Sequence, residues 1–341
     1  MPLHLQDLAI PILGAPMAGG PSTPALAAAV SDAGGLGFVA AGYLTADKFA
    51  EVIAGTRALT SAPIGVNLFV PQPSAANADE LERYRDRLAP LADHYGAEIA
   101  RPHPDDDAWQ SKIDVVADTA PEVASFTFGC PTPEIIARLR DRGVLVAVTV
   151  TSPDEAAAAV AAGADALVVQ GPEAGGHRGT FDPVVRPGDE PLDSLLSAIV
   201  AAHDVPVIAA GGLSSAADVR RVLHGGAVAA QAGTAFLLAE EAGTNAVHRG
   251  ALTDRNFTET VVTRAFSGRY ARGLANDFTA RYDDVAPLGY PDVNQMTGPL
   301  RRAAVAAGDP HGTNLWAGTA WREISGGSAA DIVAALAEGT R

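Results

Sequence analysis

The chain has 341 residues, 48% hydrophobic and 19% charged, enough to bury a sizeable core and unlike a disordered protein. Its net charge of −16 argues against nucleic acid or an anionic membrane surface as a partner. The lone Cys130 excludes an intramolecular disulfide framework and fits a reducing compartment. No basic, then apolar, leader opens the sequence, and no segment has the roughly 18 to 20 apolar residues of a membrane helix. A cytoplasmic protein, monomer or homodimer, is expected.

In chain order, short apolar runs occupy 11–19, 37–42, 64–70, 123–129, 145–150, 166–171, 205–212 and 227–236. Between them stand Ala-rich helical stretches such as TPALAAAVSDAG, SPDEAAAAVAAGA and SSAADVRRVLHGG, most closed by a glycine. Ser215 and Asp218 have capping-box spacing. Runs apolar throughout, instead of alternating, imply strands covered on both faces, hence a parallel sheet inside helices. Eight of them with intervening helices predict a (β/α)8 TIM barrel; an open doubly wound sheet is the rival.

Two regions break the repeat. Residues 71–120 form a long connection expected to carry its own helices. After residue 240 the strand pattern stops, and 240–315 reads as helices and loops. The expected organisation is a barrel from 1–239 and 316–341, with a smaller, mostly helical cap at 240–315.

A barrel of this kind places its site at the C-terminal strand ends. Those ends hold Met17 and Gly19, Asn67, Gln170, Gly211 and Gly212, and Gln231, Gly233 and Thr234. Uncharged amides suit the edge of a heterocycle, and glycines let backbone N–H groups approach an anion. The bland alternative is that these glycines only turn the chain and the amides satisfy buried backbone.

The stretch QGPEAGGHRG, 170–179, ends a buried strand in two glycines and then presents His177. A neutral imidazole there can take a proton or donate a hydrogen bond near neutral pH. His4, His94, His103, His203, His224, His248 and His311 lack such a context. No His, Cys or carboxylate cluster has metal-ligand spacing, and Asp105–Asp107 reads as a solvated loop. GLGFVA at 35–40 precedes a strand instead of opening a helix, so it fails as a dinucleotide fingerprint. Cys130 reads as a buried, inert thiol more than a nucleophile.

These residues resemble the nitronate monooxygenases, formerly 2-nitropropane dioxygenases. The resemblance rests on GAPMAGG (14–20), GVNLF (65–69), QGPEAGGHRG, IAAGG (208–212) and QAGTAFL (231–237). It extends through EAGTNAVHRGAL, FSGRYARG and LWAG (315–318). It implies an FMN-bearing barrel with a cap, oxidising alkyl nitronates with O2. FMN contacts then fall on Ala15 and Met17, Asn67, Gln170, Gly175 and Gly176, Gly211 and Gly212, and the turn Gln231, Ala232, Gly233, Thr234. His177 takes the catalytic position, and Tyr290 faces the substrate. One departure stands out. Some members place a second aromatic and a basic residue after that tyrosine, where this chain has Asn294 and Gly298; this leaves the alkyl part of the substrate open. Flavin-dependent enoyl-ACP reductases and NADH:quinone reductases share the barrel and a similar GGH loop and are the main alternative. A cofactor-free barrel holding a phosphorylated metabolite, or a binding protein with a degenerate site, are the others.

Overall fold

The computed structural model describes residues 3–340. Its strands are β1 (Ile12–Gly14), β2 (Gly37–Ala40), β3 (Ile64–Phe69), β4 (Val123–Thr127), β5 (Leu145–Val150), β6 (Ala166–Gln170), β7 (Gly176–His177), β8 (Val207–Ala210), β9 (Ala229–Ala232), β10 (Thr260–Thr263) and β11 (Ala271–Leu274). The helices are α1 (Pro24–Asp32), α2 (Ala46–Leu59), α3 (Ala78–Tyr95), α4 (Trp109–Thr119), α5 (Pro133–Asp141), α6 (Pro153–Ala162), α7 (Leu192–Ala202), α8 (Ala216–His224), α9 (Ala246–Thr253), α10 (Asp277–Tyr282), α11 (Asp292–Ala306) and α12 (Ala329–Leu336).

Eight parallel strands run in the order β1-β9-β8-β6-β5-β4-β3-β2. A parallel bridge between Leu13 and Leu36 joins the two ends, closing a (β/α)8 barrel and disposing of the open-sheet rival. Helices lie between successive strands, and α12 returns to pack against α1 and α8. Helix starts follow local chemistry. Thr23 and Ser152 accept N-cap hydrogen bonds ahead of a proline, and Ser215 with Asp218 forms the full capping box that the spacing predicts.

The barrel interior packs Leu13, Leu36, Phe38, Val168 and Ile208 with the small Ala147, Ala166, Ala210 and Ala229. Phe38 fits because Gly65 faces it: a Cβ there would lie 2.4 Å from the ring. Two shells of buried aliphatic residues tie the strands to the helices outside.

Strands fall furthest short of the apolar runs at the first and the last of the eight. Only Ile12–Gly14 of the first run pairs, because Pro16 has no N–H for a ladder and the following glycines turn the chain. The last run leaves the sheet after Ala232 for a 3-10 turn at Thr234–Phe236. Both deviations lie at the C-terminal rim.

Beyond β9 the structure departs from the helix-and-loop reading at TETVVTRAFSGRYARGL. This segment forms an antiparallel hairpin, β10 with β11, and β7 adds a third strand through Ala271–His177 and Arg272–Gly176 pairing. Four-residue strands carrying Thr, Arg and Gly offer too little apolar signal to be read as strands. A cluster of Tyr84, Leu88, Phe266, Phe278, Val293 and Met296 joins α3 to α10, α11 and the segment after β10. The helix α3 therefore packs with residues of 240–315, although it lies in the 71–120 connection.

Candidate active site

A cavity of about 680 Å³ opens at the C-terminal ends of the strands, within the usual size of small-molecule sites. Ala15 and Met17, Asn67, Gln170, Gly175, Gly176 and His177, Gly211 and Gly212, and Gln231 through Thr234 all line it. Tyr290 does not; it stands behind His177, with ring centroids 5.8 Å apart.

His177 is held in an aromatic cage. Its ring lies 5.7 Å from Phe128 and 5.5 Å from Trp316, besides Tyr290. Its Nε2 is 2.8 Å from Ser267 Oγ, delivered by the turn after β10. Desolvation first, then the charges of Arg269 and Arg301, push the His177 pKa down to about 3. The near-neutral titration expected from the sequence is thus displaced, and the imidazole is neutral across physiological pH. Ser267 also lies 3.2 Å from the Arg269 carbonyl. Its hydroxyl can give its proton to that carbonyl or to Nε2, and the second state leaves the other ring nitrogen as the N–H.

Arg269 is 1% exposed and lies over the Phe128 ring, 4.1 Å from its centroid. It donates to Gln72 Oε1 at 2.6 Å, to Thr180 Oγ1 at 3.1 Å and to backbone carbonyls. Arg301 donates to Thr297, Asn294 and Asn314, also neutral. Neither enters an ion pair among the described residues. Both keep uncompensated positive charge near the imidazole.

The amides differ in what they have left to offer. Gln170 is committed to its own loop: Oε1 accepts from Gly179 N–H at 2.9 Å and Nε2 donates to the His177 carbonyl at 3.0 Å. Asn67 Nδ2 donates to Ser125 and Thr127. Gln231 Oε1 is buried without any partner, a costly state that a donor on a ligand would relieve. Beside it, a Cβ on Gly233 would point at Ala15 and Met17, 3.3 Å and 3.7 Å away, narrowing the cavity. Gly211 and Gly212 have φ of +116° and +67°, conformations that expose backbone at the rim.

His248, set aside in the sequence for want of context, lines the same cavity. It is 6% exposed, its Nε2 has no partner, and burial lowers its pKa to about 4. Ser267, Arg269, Arg301, Trp316 and Phe128 were likewise not singled out. Cys130 is a free thiol whose pKa burial pushes up to about 11, so it is protonated and unreactive at neutral pH. No group of three or more His, Cys, Asp or Glu with metal-site geometry occurs among the described residues.

The family model for nitronate monooxygenase matches residues 4–339. The chain belongs to the nitronate monooxygenase family. It is 40% identical over 327 residues to the nitronate monooxygenase of Pseudomonas aeruginosa, covering 92% of each chain. Among solved structures it is similar to nitroalkane oxidase from Streptomyces ansochromogenes, with TM-score 0.93, 47% identity and coverage of 98% and 96%. FabK from Thermotoga maritima is similar at TM-score 0.76 and 26% identity, covering 98% of this chain and 93% of that one. As a nitronate monooxygenase family member the protein is an oxidoreductase. Its described residues include no helix long and apolar enough to cross a membrane.

Proposed function

We propose that the protein is an FMN-dependent monooxygenase that oxidises alkyl nitronates, such as propionate 3-nitronate, with O2 to a carbonyl compound and nitrite. The observation that carries this reading is the charge of the cavity. In a chain of net charge −16, the cavity lining includes no Asp or Glu, while Arg301 and Arg302 do line it. A nitronate and a flavin phosphate are both anions, and cationic walls in a partly desolvated site favour them.

The residues present fit FMN. Gln231 Oε1 needs a donor, which a flavin ring N–H would supply, and the Gly211–Gly212 and Gly233–Thr234 backbone would suit its phosphate. The flavin, when bound, supplies the redox chemistry. The chain's own residues do the rest. Phe128, Trp316 and Tyr290 pack around His177 and hold its ring at the cavity wall. With Ser267 donating to Nε2, the other ring nitrogen presents an N–H to a nitronate oxygen. Arg269 and Arg301 stabilise the anion through space.

The same field favours a substrate that arrives already as the nitronate. Removing the α-proton of a neutral nitroalkane would turn His177 into an imidazolium beside two guanidiniums, the form its pKa of about 3 disfavours. The 47% identity to a protein named nitroalkane oxidase supports this second, harder reaction as well.

The test is oxygen uptake and nitrite release with propionate 3-nitronate, set beside NADH oxidation on the same preparation. Uptake with the nitronate and negligible air-free bleaching by NADH is the expected result. Rapid bleaching by NADH without nitronate turnover would replace this reading with a flavin reductase.

A further inference from the structure

Two buried acceptor atoms on residues of the cavity wall have nothing to accept from: Gln231 Oε1 and His248 Nε2. The first suits a flavin ring N–H. The second comes from the cap, and no group of this chain reaches it. His248 stands on the first turn of α9, 6% exposed. Asn245, the N-cap of that helix, accepts from the His248 N–H at 3.0 Å. Arg249 ties the same turn to the segment after β9, donating to the carbonyls of Leu237, Leu238 and Ala239 at 3.3, 2.8 and 3.0 Å. The backbone that carries the imidazole is therefore held to the barrel.

The tautomer follows from the surroundings. Burial lowers the pKa to about 4, so the ring is neutral near pH 7, while a hydrogen bond with the Trp316 backbone pulls the value part of the way back up. A backbone group that favours the protonated ring is a carbonyl accepting a ring N–H. Since Nε2 has no partner, that N–H is on Nδ1, and Nε2 carries a bare lone pair. Only a donor from outside the chain can satisfy it.

The anchor on Trp316 sets which part of a ligand comes near. Trp316 leads into Gly318, whose N–H donates to Thr234 Oγ1 at 3.0 Å, and into Thr319, whose Oγ1 lies 3.4 Å from where a Gly212 Cβ would be. Gly212 and Thr234 belong to the two turns that suit the flavin phosphate. A lone pair repels a phosphate oxygen but accepts from a hydroxyl. In FMN the hydroxyls lie on the ribityl chain, next to the phosphate.

We propose that His248 Nε2 accepts a hydrogen bond from a ribityl hydroxyl of FMN, which makes His248 a cofactor-binding residue supplied by the cap. This rests on the FMN reading and adds that cap and barrel hold the cofactor together.

The experiment titrates FMN into flavin-free wild type, His248→Leu, His248→Met and His248→Gln, following the quenching of flavin fluorescence. Melting temperatures of the flavin-free proteins show which variants fold, and either apolar variant suffices. Loss of the acceptor should raise the Kd for FMN about tenfold. His248→Gln, whose amide oxygen can take the place of Nε2, should recover most of that loss. The visible absorption bands of bound FMN, which report the surroundings of the ring, should stay in place in every variant. An unchanged Kd in the apolar variants would mean that water satisfies Nε2 and would overturn the proposal. Equal weakening in all three variants would reduce His248 to a brace for Trp316, and displaced bands would put it against the ring; either result also overturns it. If wild type takes up no FMN, the cofactor reading itself falls.

Discussion

Ser267 Oγ lies 2.8 Å from the Nε2 of His177, although the two residues are 90 positions apart. The hydroxyl comes from the turn after β10 and the imidazole from β7, two segments that the small antiparallel sheet brings together. If its hydroxyl donates to Nε2, Ser267 is a positioning residue that selects which ring nitrogen carries the proton. Ser267→Ala should lower kcat about five- to tenfold, the worth of one neutral hydrogen bond. Flavin binding and KM should hold. An unchanged kcat, or a loss confined to flavin affinity, would make the contact merely structural.

His177→Asn keeps a polar side chain but loses the ring. We expect the variant to retain FMN and to lose turnover with neutral nitroalkanes by on the order of 10² or more. Preformed nitronates, which need no proton removed, should suffer less. Equal rates for wild type and variant on both substrate forms would remove His177 from the chemistry.

Acid stability follows from two imidazoles with lowered pKa values, His248 buried and His177 half-buried at the cavity wall. His177 and His248 have pKa values of about 3 and about 4 in the folded protein, against roughly 6.5 in an unfolded chain. The unfolded state therefore takes up protons that the folded state refuses. Their contribution is complete above pH 6.5 and is lost as pH falls toward about 4 for His248 and about 3 for His177, at about 1.4 kcal/mol per pH unit for each histidine. Urea midpoints of the flavin-free protein between pH 7 and pH 5 measure this. His248→Gln should flatten the acid slope, and an unaltered slope would contradict the assignment.

Gly175 is pressed against the loop that carries Trp316. A Cβ there would lie 2.5 Å from both Ala317 C and Gly318 N, main-chain atoms that cannot swing aside. Gly175→Ala should cost about 1–3 kcal/mol, lower the melting temperature by several degrees and weaken flavin binding. Full stability and flavin affinity in this variant would show that the loop yields easily.

The barrel is readable in the chain because its strands are buried on both faces, so runs such as LVAVTV and ALVVQ carry no polar alternation. The cap hairpin is not. TVVT and ARGL are four residues each, and their third strand is a Gly-His pair inside a loop. Such strands exist because their backbone finds partners, not because their side chains announce them. Strand-end residues from Met17 to Thr234 meet in one cavity because barrel topology carries every C-terminal strand end to one rim. Gln170 shows the limit of reading by position. It lies at the rim, yet both ends of its amide brace the 176–179 loop.

By itself the sequence determined the closed barrel, the rim that collects Asn67, Gln170, His177, Gly212 and Gln231, and membership in a family. Local propensity and buried-strand composition are properties of short segments, and they survive without knowledge of the rest. Tertiary structure alone decided the electrostatics: the neutral imidazole at His177, the carboxylate-free lining, and the placement of Arg269, Arg301 and Ser267 around it. Charge and desolvation depend on distances between segments far apart in the chain, and only packing the cap against the barrel sets those distances.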